Sequence, residues 1–153
     1  MSFFVLDPGK TSGWAFVDIE RDIVRIGTIR LERLPAMLFS QATTEGQSLR
    51  EASEIICEPY SLRPHQAKQQ SGSTMPAPEA IGVLRGVAFC IGAPAPRMVP
   101  PGCKSAGKAW AAAKHPALVA IRAELRSDHE RDVVDIAAFA LREQATGNWK
   151  ASS

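Results

Sequence analysis

Apolar residues open the chain. Phe3-Phe4-Val5-Leu6 is a short apolar run stopped by Asp7-Pro8-Gly9, which predicts a buried strand running into a turn. Trp14 to Asp18 and Ile23 to Ile29 predict two further strands, with Glu20-Arg21-Asp22 as the tight turn between them. Three strands this close in sequence make an antiparallel meander. Residues 32–51 predict a helix, and Glu54-Ile55-Ile56-Cys57-Glu58 a fourth strand, buried except at its ends. From Ser61 to Pro78 the chain is polar, rich in Gln, Ser and Pro, and without periodicity. A loop of that length is uncommon in a compact domain and is usually functional or mobile.

A helix is expected from about Ala80 to Ile91, ended by Ala93-Pro94-Ala95-Pro96, and Arg97-Met98-Val99 is a short fifth strand. Helical segments follow at about 104–114 and 116–126. The last helix has the clearest start: Ser127-Asp128-His129-Glu130 fits a capping box, Ser127 as N-cap and Glu130 at the third helical position. It runs to about Gln144, and residues 145–153 are expected to form a flexible tail after a domain spanning 1–144. The order βββαβαβα is that of an α/β domain with a mixed five-stranded sheet flanked by helices.

Composition narrows the class. A chain of 153 residues with 45% hydrophobic and 22% charged positions suits one domain with a proper core. No apolar run approaches a membrane span, and Phe3 to Leu6 is too short for the apolar region of a signal peptide. Cys57, Cys90 and Cys103 form no CxxC pair and are odd in number, so a disulfide framework or a Cys/His zinc site is not expected. The reading is a soluble protein of a reducing, cytoplasmic compartment. The net charge of +2 hides an asymmetry: Pro59 to Ala123 holds eight Lys or Arg and a single acid, Glu79. Such a split suits a basic surface for a polyanion with acids gathered elsewhere.

The acids carry the candidate chemistry. Asp7 ends the first strand, Glu58 ends the fourth, and Asp132 and Asp135 lie in the last helix. Each has an ordinary reading. Asp7 suits a turn that bonds its own backbone, and Glu58 suits a strand end. Acids in a first helical turn suit the helix dipole, which accounts for Asp128 and Glu130, partly for Asp132 and poorly for Asp135. Asp135 is surrounded by Val133, Val134, Ile136, Ala137, Ala138, Phe139, Ala140 and Leu141. A lone carboxylate in such a helix is costly without compensation, and a bound divalent cation would compensate it. Asp132, three residues earlier, shares its face. Jointly the four acids point to an oxygen-rich site for Mg²⁺, and two such ions suit phosphodiester hydrolysis.

These residues resemble the RuvC-type Holliday junction resolvases of the RNase H-like superfamily, and the phage-encoded branch in particular. The segments that carry the resemblance are "FFVLDPGKTSGWAF", "IICEPY", "GVLRGVAFCIG", "MVPPGCKSAGKAWAAAK" and "DVVDIAAFAL". They cover most of residues 3–142 in family order. The resemblance implies a homodimeric, metal-dependent endonuclease that nicks two opposed strands of a four-way DNA junction. It implies a water nucleophile, 5′-phosphate and 3′-hydroxyl products, and two Mg²⁺ ions per site, with Mn²⁺ able to substitute. Asp7, Glu58, Asp132 and Asp135 would be the catalytic metal ligands. Some members use His in place of one acid, so a His129/Asp132 register is open, but the small residues after Asp135 fit the Asp132/Asp135 register better. Recombination, repair or debranching of DNA in a bacterial or phage-infected cell would be the setting.

The DNA-binding candidates are the lysines Lys104, Lys108 and Lys114, extended by Arg63, Lys68 and Arg85. Lysines act toward phosphate as point charges, giving affinity without sequence choice. Tyr60, two residues after Glu58, is a candidate to stack on a base. Gly82 and Gly86, four apart on a helix, permit close approach of a dimer partner or of the sheet, the sheet being the simpler expectation. Three other functions compete: a related nuclease acting on flaps, other branched DNA or RNA–DNA hybrids; an actin-like nucleotide binder, which needs two lobes; and a non-catalytic DNA-binding module.

Overall fold

The computed structural model describes residues 1–60 and 75–149. Its five strands are β1 (Ser2–Asp7), β2 (Thr11–Asp18), β3 (Ile23–Arg30), β4 (Glu54–Cys57) and β5 (Arg97–Met98). They form one sheet in the order β3-β2-β1-β4-β5. The β1–β2 and β2–β3 pairs are antiparallel, and the β1–β4 and β4–β5 pairs are parallel. This is the mixed sheet that the hydrophobic pattern predicts.

Alternation along the strands divides the core. Phe4, Leu6, Trp14, Phe16, Ile55 and Cys57 face one side, beneath α1 (Leu34–Phe39), α2 (Thr44–Glu51) and α3 (Pro76–Ile91). Phe3, Val5, Ala15, Val17 and Ile56 face the other, beneath α4 (Cys103–Lys114) and α6 (Asp128–Ala145). The short α5 (Pro116–Glu124) adds Leu118 to a smaller cluster with Ala111, Val134 and Ala138. The sheet is therefore the middle of three layers.

The expected helix over 32–51 is in two pieces. After a 3-10 turn at Leu31–Arg33, α1 stops at Phe39 and α2 starts afresh with Thr43 as its N-cap, accepting from the Gly46 backbone N–H at 3.1 Å. The chain bends there because Gly46 sits against the Ser40 carbonyl, where a β-carbon would collide. Arg50 closes the bend by donating to the Ser40 and Gly46 carbonyls. Helix α3 begins at Pro76, four residues before the expected start; a proline fits a first helical turn because its missing N–H has no partner there anyway. Trp149, within the expected tail, packs edge-on against Phe3, under the Arg97 guanidinium at 4.4 Å. Among the described residues no helix is long and apolar enough to cross a membrane.

Candidate active site

Two acids arrive at one place through strand parity. Leu6 on β1 pairs with Cys57 on β4, and the Glu58 N–H donates to the Leu6 carbonyl. Phe3 and Val5 face the α4/α6 side, so Asp7 does too. Ile56 faces that side, so Glu58 does too. The parallel pair thus ends in two carboxylates side by side on one face.

Helix α6 brings the third. Its capping box is complete: Ser127 Oγ accepts from the Glu130 N–H, and the Glu130 carboxylate accepts from the Ser127 N–H. The first turn lies on β2 at Gly13, the residue paired with Asp7. A β-carbon on Gly13 would run into the His129 carbonyl, so glycine is what lets the helix settle there. Asp132, one turn on, reaches the strand ends. Helix α4 approaches α6 in the same way, through Gly107, and Lys104, one turn before Gly107, reaches the same point.

The outcome is one ammonium among three carboxylates. Lys104 Nζ lies 2.7 Å from Glu58 Oε2, 2.8 Å from Asp132 Oδ2 and 3.2 Å from Asp7 Oδ1. Burial, then a hydrogen bond with Glu58, pushes the Asp7 carboxyl up from 3.8 to about 7, against the pull of Lys104. Burial lowers the affinity of Lys104 for its proton, but hydrogen bonds to Asp132 and Glu58 outweigh that and hold the ammonium above its ordinary range. The donor set is all oxygen, the chemistry Mg²⁺ takes, and the spot already draws positive charge. Among the described residues no three His, Cys, Asp or Glu side chains are preset around a metal position; Lys104 stands between them.

Asp135 is elsewhere. The expectation that its burial needs a metal is corrected by Arg122 on α5, whose Nε lies 2.7 Å from Asp135 Oδ1 and whose terminal nitrogen donates to Oδ2 at 3.0 Å. A two-pronged guanidinium satisfies both oxygens, and the pair faces a 180 Å³ recess between α4, α5 and α6 instead of the acid cluster. Asp132, not Asp135, joins Asp7 and Glu58. Of the two registers, His129/Asp132 is the one consistent with that position, and His129 is exposed one turn before Asp132.

Of the expected DNA-binding residues, Lys104 is drawn into the acids, whereas Lys108, Lys114 and Arg85 are exposed. Tyr60 and Arg85 line a 380 Å³ recess with Pro59, Pro78, Ile81, Gly82 and Met98, directly after Glu58 in the chain. Arg63 and Lys68, and most of the long loop, lie outside the described residues. Gly82 and Gly86 have no neighbour that a β-carbon would meet. They face away from the sheet, beside Phe89, which is 87% exposed. Burial pushes the Cys57 and Cys103 thiols up to about 12 and about 11, so neither is a ready nucleophile.

No family model matches the chain, and no curated protein matches it. Among solved structures, it is similar to T. thermophilus RuvC in complex with a Holliday junction substrate. The TM-score is 0.70 at 18% sequence identity, covering 99% of each chain. The fold is the RuvC fold. Its RNase H-like sheet, three antiparallel strands followed by two added in parallel, is the one described above.

Proposed function

We propose that this protein is a structure-selective endodeoxyribonuclease that resolves four-way DNA junctions by paired, metal-dependent nicks. The observation that carries the reading is the convergence of Asp7, Glu58 and Asp132 on one cationic position at the strand ends. The likeness of fold to a protein solved with a Holliday junction is its second support.

Asp7, Glu58 and Asp132 would hold two Mg²⁺ ions, or Mn²⁺ in their place, with His129 as a further donor one turn before Asp132. When bound, the ions supply a polarised phosphate and a water acidic enough to act near neutral pH. Asp7, close to its titration point, takes or yields a proton as the site fills. Lys104 must leave the centre of the carboxylates, and its ammonium then meets the phosphate being cut. Water oxygen attacks phosphorus, the P–O3′ bond breaks, and the 3′-oxygen takes a proton, leaving a 5′-phosphate and a 3′-hydroxyl. Lys108, Lys114 and Arg85 would hold the flanking backbone, and Tyr60 a base.

Paired nicks need two sites. The α3 face with Gly82, Gly86 and Phe89 supports a two-fold homodimer: the glycines let a second helix approach closely, and an exposed phenylalanine beside them supplies apolar area. The test is a synthetic four-way junction, each strand labelled in turn, incubated with Mg²⁺, with EDTA, and with Asp132→Asn. Symmetric nicks near the crossover, lost in both controls while binding survives, are expected. Cutting of flaps or RNA–DNA hybrids but not junctions overturns the junction reading in favour of the related nucleases. Tight binding without cutting in either metal overturns the catalytic one.

A further inference from the structure

The acids lie at the end of β1, and the same end of the sheet carries a second group of charges. Thr11 opens β2 and pairs with Arg30, which closes β3. Two recesses of 440 and 460 Å³ share these two residues. Arg33 and Thr28 line the first, and Lys10 lines the second. Lys10, Arg30 and Arg33 are exposed, and none forms an ion pair among the described residues. Glu32 and Glu45 also line the recesses but pair with none of the three.

Position gives these charges a use. Lys10 follows Asp7 by three residues, a chain length of at most about 11 Å. One DNA strand rises about 3.4 Å per nucleotide along its axis, so Lys10 is no more than roughly three nucleotides from Asp7 along a bound strand. The β2–β3 pair forms one edge of the sheet, whereas α4, with Lys108 and Lys114, packs on α6 through Gly107. Cations with free donor groups and two threonine hydroxyls suit phosphate oxygens.

We propose that Lys10, Arg30 and Arg33, with Thr11 and Thr28, form a second phosphate-backbone site that holds the DNA strand beside the acid cluster, on different elements from the α4 lysines. This site rests on the nuclease reading. It extends the DNA footprint to a stretch of chain outside the basic segment of residues 59–123.

The test is binding of a fluorescein-labelled four-way junction in EDTA, followed by anisotropy over a range of KCl concentrations. Each lost phosphate contact makes the slope of log affinity against log salt shallower by about 1. The Arg30→Ala/Arg33→Ala variant is expected to bind junction and plain duplex alike more weakly, with a slope shallower by about 2. Arg30→Lys/Arg33→Lys, which keeps both charges, is expected to retain the wild-type slope. Both arginines are exposed, so an unchanged melting temperature accompanies these results. A double-alanine variant with wild-type slope and affinity overturns the second site and leaves the nuclease reading standing. A wild-type protein that binds no branched DNA overturns both.

Discussion

Gly107 on α4 lies against the backbone carbonyl of Asp135 on α6, closer than a residue bearing a β-carbon can come. This contact sets the distance between the two helices, and with it the reach of Lys104 to Asp132. Gly107→Ala forces the helices apart. The expected cost is about 1–3 kcal/mol, as for other overpacked interiors, read from the urea midpoint. Junction cutting should fall further than stability explains, because Lys104 and Asp132 move relative to each other. Cutting that merely follows the folded fraction would refute the positional role.

Asp7 gives the protein a pH signature. Its carboxyl titrates at about 7 in the fold against an ordinary value of 3.8. Between those values the folded protein holds a proton that the unfolded chain has released. This contribution to stability is full below pH about 4 and is lost as pH rises through 7. Thermal melting in EDTA should show wild-type stability dropping from pH 5 to pH 8 more than that of Asp7→Asn, which has no proton to lose. Mg²⁺ should recover the loss at pH 8, since a ligand of the folded state alone stabilises it. Equal slopes in the two proteins contradict the assignment.

Arg122 and Asp135 form a pair whose halves are unequal: the carboxylate is 6% exposed and the guanidinium 27%. Arg122→Ala leaves the buried charge without a partner, at an expected cost of about 3–5 kcal/mol. Replacing both, as Arg122→Met with Asp135→Leu, should regain most of it. Isothermal titration with Mg²⁺ separates this structural pair from the site. Asp135→Asn is expected to bind the ion as wild type does, and Asp132→Asn to bind it poorly.

How far these features were readable depends on their range. The apolar runs Phe3–Leu6 and Ile55–Cys57 are local, and they predicted both strands with Asp7 and Glu58 at their ends; the side on which the two acids emerge follows only from the pairing of β1 with β4. The break between α1 and α2 was also locally signalled, by Thr43 three residues before Gly46. Asp135 shows the limit. Its burial was legible, but its partner is thirteen residues away on another helix, and only the packing of α5 on α6 selects a guanidinium over a metal. Lys104 read as one of a row of phosphate-binding lysines, because nothing in its own segment reveals the three acids that the fold gathers around it. Lys10 is twenty residues from Arg30 and meets it only because β2 and β3 pair in the register Thr11 to Arg30.

The exposed face of α3 leads to a prediction on assembly. Phe89→Asp puts a charge where an apolar ring meets solvent, so the monomer fold should be unaffected. Sedimentation velocity is expected to show a dimer for the wild type and a monomer for the variant, with single nicks replacing paired ones on the junction. A wild type that sediments as a monomer at all concentrations removes this face as the dimer contact.

The pairing of Leu6 with Cys57 has a consequence for how such a protein can diverge. Two of the three gathered acids owe their separation to a single parallel hydrogen-bonded step between neighbouring strands, not to the fifty residues of chain that join them. Insertions, deletions and substitutions in the β2–β3 hairpin or in α1 and α2 leave that separation untouched, provided the two strands still lie side by side. What the fold keeps is an adjacency, not a spacing along the chain. Two chains can therefore share this fold over 99% of their length at 18% identity.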